Sequence, residues 1–305
     1  MDIVIFHPLR QPEFLNRCAG HSCSHICLPN NVTYKCTCPT GFHLSKDGQT
    51  CSDQPDTFLL FTKRNDIRWV CVDCPEDANI DVVLPLKHIN SAVSIDYDQE
   101  SSLIFWSDVA NKSISRGLWN GTKQESIVTT SLELPAGIAV DWLGKNFYWV
   151  DTGRNVIEVS KLDGTQRTIL IWESLSQPRD IVIDPPTGFM FLSQWDNSNA
   201  KIERAGMDGS SRTILHSYNL TWPYGLAVDS FDKKLYWSDA FMKRIECSNF
   251  DGSQRKIIVY QNVRHPYGLV VHQNYIYWTD IELKSIQRIH KNNYDKKILV
   301  SNLDN

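Results

Sequence analysis

From residue 57 onward the chain repeats one hydrophobic rhythm. Short apolar or alternating runs are separated by Gly, Asn, Asp and Pro, the pattern of strands and turns rather than of helices. The clearest marker is an aromatic-rich run ending in a polar pair: Phe105-Trp106-Ser107-Asp108, Tyr148-Trp149-Val150-Asp151, Phe191-Leu192-Ser193-Gln194, Tyr236-Trp237-Ser238-Asp239 and Tyr277-Trp278-Thr279-Asp280. Their last residues lie 43, 43, 45 and 41 positions apart, and a weaker copy, Leu59-Leu60-Phe61-Thr62, falls 45 residues before Ser107. An apolar run introduced by proline precedes four of them: Pro135 to Asp141, Pro178 to Asp184, Pro223 to Asp229 and Pro266 to His272. Asn120-Gly121, Asp163-Gly164, Asp208-Gly209 and Asp251-Gly252 follow, where only Gly, Asn and Asp tolerate the positive φ of a tight hairpin. Four short strands per unit at this period predict an all-β fold, a six-bladed β-propeller over residues 53–305, because one small sheet cannot bury both faces alone.

Ahead of the repeats, six of the nine cysteines fall between Cys18 and Cys51, with spacing C-x4-C-x3-C-x8-C-x-C-x12-C. A segment this short lacks a core of its own and needs cross-links, which places it in an oxidising compartment. A zinc site would want paired C-x2-C units, so no metal is expected despite His21 and His25 nearby. Cys71 and Cys74 form C-x-x-C with no βαβ context, which points to a local disulfide, and Cys247 is expected to be a buried small hydrophobe.

The cysteine spacing, with Pro39, Gly41 and Phe42, resembles the epidermal-growth-factor-like (EGF-like) module, here residues 13–52. That resemblance implies the pairs Cys18–Cys27, Cys23–Cys36 and Cys38–Cys51, and the lack of an acidic cluster before Cys18 implies no calcium site. The aromatic-Trp-Ser/Thr-Asp repeat with upstream Pro-x-Gly and downstream Asp-Gly resembles the YWTD propeller of the low-density-lipoprotein-receptor family, in which such propellers alternate with EGF-like modules. Residues 1–12, including Asp2-Ile3-Val4-Ile5-Phe6-His7, then resemble the terminal strand and linker of a preceding propeller. The first repeat begins at its second strand, so the propeller is expected to stop one closing strand short. The third full copy departs from the pattern at Leu192 and Gln194, where one polar contact between blades is expected to weaken.

Strand order places the loops after each aromatic-acid motif and those leading into each proline on one face, called the top, with the Asp-Gly turns beneath. The top gathers Arg64, Asn90, Val109, Ala136, Thr152, Arg179, Trp195, Trp222, Tyr224, Phe241, Tyr267 and Glu282, a mixture of aromatics and arginine typical of protein-binding hot spots. The family resemblance implies that this face holds extracellular protein ligands, agrin-like or Asn-x-Ile-bearing Wnt-pathway antagonists. Arg64, Arg179, Trp195 and Trp222 match positions that line the family's site, whereas Asn90, Ser91, Lys112, Ala136 and Tyr224 replace its acidic and Asn positions. It further implies a cell-surface receptor ectodomain with a signalling or endocytic co-receptor role, attached to the membrane through other parts of the parent chain. A secreted nidogen-like matrix protein uses the same modules and is the alternative.

The 31 Lys plus Arg against 35 Asp plus Glu give a net charge of −4, with no field to attract nucleic acid. Sequons at Asn31, Asn111, Asn120 and Asn219 are candidate glycan acceptors. Propellers also host hydrolases, but the histidines are scattered, no nucleophile, metal or phosphate motif is present, and the repeated aspartates have a structural task; neither catalysis nor a cofactor is expected.

Overall fold

In the computed structural model, which describes residues 16–38, 43–52, 57–72, 81–196 and 199–303, the described residues form strands and turns only. Residues 1–12, the Pro39–Phe42 stretch and Cys74 lie outside them. Contacts divide the chain into two compact units, residues 1–58 with 70–82 and residues 59–69 with 83–305.

In the first unit, strand Ile26–Pro29 pairs with Tyr34–Thr37, setting Cys27 opposite Cys36, and His43–Leu44 pairs with Cys51–Ser52. The disulfides are Cys18–Cys27, Cys23–Cys36 and Cys38–Cys51, with Cα separations of 6.0, 5.4 and 5.7 Å. His21 lies close to Cys23 and Cys27, but both sulfurs are already bonded, and the His21 Nδ1 accepts the Cys23 N–H at 3.0 Å. Cys71 is also disulfide-bonded, whereas Cys247 is free and buried.

The repeats fold as a six-bladed propeller. Blades 2 to 6 (residues 92–128, 135–171, 178–216, 223–259 and 266–300) are each a four-stranded antiparallel meander, running in chain order from an inner to an outer strand. Blade 1 has three strands, Phe58–Lys63, Asp66–Cys71 and Val82–Val83, in the order that corresponds to the second, third and outer strands of the others. Antiparallel order keeps the two kinds of loop predicted for the top at one end, and backbone bonds tie them together. Val109, Thr152, Trp195, Ala240 and Ile281 donate to the carbonyls of Ser91, Leu134, Gln177, Trp222 and His265. At the other end Gly121, Gly164, Gly209 and Gly252 take φ between 79 and 84°, which the Asn-Gly and Asp-Gly turns require.

The core is built at the seams between blades. Phe105, Ile114, Ile138, Phe147 and Trp149 pack between blades 2 and 3, and equivalent clusters fill the next three seams. The motif tryptophans Trp106, Trp149, Trp237 and Trp278 are fully buried; each large apolar side chain removed from water contributes roughly 2 to 3 kcal/mol. The motif aspartates satisfy backbone donors within their own blade. Asp239 accepts from Thr221 (2.9 Å), Trp222 (3.2 Å) and Met242 (3.0 Å), and Asp108, Asp151 and Asp280 repeat the arrangement.

The contact between blades comes from the neighbouring hydroxyl. Ser107, Ser193 and Ser238 donate to the carbonyls of Ala136, Tyr224 and Tyr267 in the next blade, and Thr152 donates to that of Pro178. This corrects the expectation for blade 4. Gln194 keeps one loop donor, the Ser176 N–H (2.9 Å), while the Gln177 N–H turns to Asn155 of blade 3 (2.8 Å), so the departure adds a contact across a seam.

Candidate functional site

Blades 4, 5 and 6 bring together six of the predicted top-face residues. Pro178 starts the inner strand of blade 4 and sends Arg179 to the rim, where its guanidinium carbon lies 4.3 Å from the centre of the Trp195 ring and 6.0 Å from that of Tyr224. Trp195 meets Trp222 at 5.3 Å and Tyr224 at 5.6 Å, Trp222 meets Phe241 at 5.3 Å, and Tyr224 meets Tyr267 at 4.7 Å. These separations are those of tilted and edge-on aromatic pairs, so the five rings form one continuous surface. Rigid backbone holds it: Trp195 and Trp222 sit on the two sides of the loop-to-loop bonds already described, and Tyr224 and Tyr267 start inner strands at homologous positions.

The polar groups of this surface are poised as donors. The Arg179 Nε and Trp222 Nε1 are shielded from solvent and have no hydrogen-bond partner, and Arg179 makes no ion pair among the described residues. Burial pushes the Tyr224 hydroxyl above the usual tyrosine range, and burial followed by the charge of Asp180 does the same to Tyr267, so both stay neutral and able to donate. Phe241 is 56% exposed, which makes it the outermost ring of the patch.

The other predicted residues stand apart. Arg64 is exposed in the blade 1 turn, where its carbonyl accepts the Ala92 N–H (2.9 Å). The Asn90 side chain donates to Asn111, Val109 is held by Ser91, and Glu282 is exposed beyond Asp280. Ala136 and Thr152 serve the seams. Of the sequons, Asn111 commits its amide nitrogen to the His88 carbonyl (2.9 Å) and to Asp108 (3.0 Å). Asn31, Asn120 and Asn219 are exposed, and Asn120 uses only its oxygen, to accept from Thr122 (3.0 Å).

Three features escaped the sequence reading. His265 adds a ring 6.0 Å from Tyr224. Buried Glu158, Glu203 and Glu246 pair with Arg167, Arg212 and Arg255, whose guanidiniums also donate to the carbonyls of Ser131, Ser174 and Asn219. The sequence carries a signal for them, an arginine four residues after each Asp-Gly aspartate. Asp180 occupies the position that is Gly137, Gly225 and Gly268 in other blades; that lone carboxylate in a glycine column was the missed sign.

The family model described as "Low-density lipoprotein receptor repeat class B" matches residues 102–142, 145–185, 188–230 and 233–273. Low-density lipoprotein receptor-related protein 4 of Mus musculus is 47% identical over 145 residues, which cover 47% of this chain and 8% of that receptor. Low-density lipoprotein receptor-related protein 5 of Mus musculus is 39% identical over 307 residues, covering 98% of this chain and 19% of that receptor. Among solved structures, a chain of the nidogen/laminin complex is similar with a TM-score of 0.72 and 31% identity, over 78% of this chain and 91% of that chain. A streptogramin B lyase shares the fold alone, with a TM-score of 0.61 at 15% identity over 88% of this chain and 83% of that one.

Proposed function

Because this chain belongs to the low-density lipoprotein receptor repeat class B family, we propose that it is an extracellular module of a receptor-related protein that captures protein ligands on the aromatic patch around Arg179. The observation that carries this reading is Arg179 itself, stacked on Trp195 with a shielded, unbonded Nε and no carboxylate partner among the described residues. Desolvated arginine and tryptophan in a packed aromatic surround are what dominates protein interfaces. The relatives are low-density lipoprotein receptor-related proteins, and binding needs no chemistry from this chain.

The module then works as residues 13–52 followed by the propeller of residues 53–305. It acts at the cell surface through a membrane attachment elsewhere in the parent chain, in a signalling or endocytic co-receptor role. Agrin-like proteins and Asn-x-Ile-bearing Wnt antagonists are the proposed ligands. Arg64, Asn90, Val109 and Glu282 form the outer part of the binding face. Asn31, Asn120 and Asn219 are the proposed glycan acceptors, with Asn111 disfavoured by its committed amide.

Binding of the purified chain to agrin and to an Asn-x-Ile peptide tests the reading. Arg179→Glu and Trp195→Ala should each weaken capture by about thirtyfold or more, since hot-spot truncations cost about 2 kcal/mol and upward. Unchanged affinity in both variants overturns the site. The nidogen likeness favours a second reading as a secreted matrix protein, which a downstream apolar span of about 20 residues in the full gene would exclude.

A further inference from the structure

Arginine stacked on tryptophan recurs in this propeller, and away from the top face a carboxylate completes the stack. The Arg167 guanidinium carbon lies 5.2 Å from the centre of the Trp149 ring, and that of Arg255 lies 5.3 Å from the centre of Trp237. Arg167 donates through Nε and Nη2 to Glu158, and Arg255 donates the same two groups to Glu246 at 2.8 and 3.0 Å. Both glutamates are buried. Ring and carboxylate are complementary halves of one site: the ring takes the flat of the guanidinium, and the carboxylate takes N–H groups that point outward in its plane.

The rim carries the first half of that site without the second. Arg179 lies nearer its ring, 4.3 Å from the centre of Trp195, and makes no ion pair among the described residues, while its Nε is shielded and unbonded. Other arginines that are not fully exposed are matched, Arg116 by Glu125 (2.7 Å) and Arg204 by the Phe250 carbonyl (3.0 Å). The carboxylates next to the stack in sequence are turned elsewhere: Asp180 accepts the Ile181 N–H (3.0 Å) and the Leu226 N–H (2.8 Å), and Asp196 accepts the Ser176 hydroxyl (3.0 Å). The neighbours of Arg179 add donors, namely the shielded, unbonded Trp222 Nε1 and the Tyr224 and Tyr267 hydroxyls. A cation partly withdrawn from water without a counter-charge is the costly arrangement in a folded chain, and an arriving anion relieves it.

We infer that the ligand of this patch brings an acidic side chain, Asp or Glu, to Arg179, with large apolar residues on both sides of it. The inference rests on the reading of the patch as the ligand face and adds the chemistry of what it takes. The rings run in two directions from Trp195, through Trp222 to Phe241 and through Tyr224 to Tyr267. A chain that crosses them meets the guanidinium midway, with apolar contacts before and after it, which suits an interior carboxylate. One arginine among rings matches one such group, whereas a sulfated polysaccharide draws its affinity from many cations spread over a surface. Hydrogen bonds between ions are about twice as strong as neutral ones, so Asp is a better occupant than the isosteric amide Asn.

Two peptides that differ only in carrying Asp-x-Ile or Asn-x-Ile, capped at both ends so that no terminal carboxylate competes, test this by calorimetric titration into the whole chain. The Asp peptide is expected to bind about fivefold tighter or more. Arg179→Gln should bring that ratio close to one and Arg179→Lys should keep part of it, whereas Trp195→Ala should weaken both peptides alike. Equal affinity for the two peptides, or a ratio that survives Arg179→Gln, overturns the inference. If the Asn peptide binds through Trp195 without that preference, the patch stands as the ligand face and only its acidic selectivity falls; if neither peptide binds, both readings fall. Heparin bound through Arg179 in place of either peptide also overturns it.

Discussion

Blades 4 and 5 are neighbours with the same strand lengths and the same register, and they are held together by different chemistry. Blade 5 keeps the full motif: Trp237 is fully buried, Asp239 accepts three backbone N–H groups, and Gly225 lets blade 6 approach. Blade 4 has Leu192, Gln194 and Asp180 in the corresponding places, and it also supplies Arg179 and Trp195 to the top face. The regular blade supplies Trp222, Tyr224 and Phe241 to the top face without leaving the repeat, whereas the irregular one has exchanged self-sufficiency for extra contacts with its neighbours, through Asn155 on one side and Leu226 on the other. Departures from a repeat deserve reading as places where the chain does something beyond folding.

That contrast can be broken by mutation. Asp239→Ala strands three buried N–H donors and should cost about 3 to 5 kcal/mol, whereas Gln194→Ala strands one and should cost roughly 2 kcal/mol; equal shifts in urea midpoints would erase the distinction between the blades. Gly225→Ala forces a methyl group against the fixed Tyr267 carbonyl and should cost about 2 to 3 kcal/mol by the same measurement. Asp180→Ala in the matching column should cost less in packing, because that seam already houses a side chain, and a larger loss there would put the burden on the wrong seam. Smallest is Ser238→Ala, which removes the hydrogen bond to the next blade (2.8 Å) and the acceptor of the Gly225 N–H (3.0 Å) and should cost about 1 to 2 kcal/mol. No change in thermal melting would mean that apolar packing alone holds this seam.

Much of this was legible in the sequence because the repeat multiplies weak signals. Proline before four inner strands, Asn-Gly or Asp-Gly at four bottom turns and the aromatic-acid ending recur often enough to fix strand order and hence the top face, and the resemblance to the EGF-like module implies the pairing observed. What stayed hidden was lateral. Strand order says which residues reach the rim but not which of them stack, so the ring cluster of blades 4 to 6 does not stand out from Arg64, Asn90 and Glu282 in the sequence. The structural task expected of Asp239 and its counterparts is the holding of backbone N–H groups, but the seam contact expected in blade 4 falls instead to the hydroxyl one residue earlier, a difference of side-chain direction that alternation along a strand decides only once the neighbouring blade is in place.

Glycine at the seams between blades 3 and 4 and between blades 5 and 6, and bridging side chains at those between blades 2 and 3 and between blades 4 and 5, give blades 3, 4 and 5 left and right partners that are not interchangeable. A copy of blade 5 inserted where blade 4 stands would present Gly225 to a strand spaced for Asp180, and would leave the N–H of Leu226 in its neighbour without an acceptor. Duplication or shuffling of single blades is thus penalised at the joints rather than within the blades. Three near-identical parts in a row therefore fit in only one order.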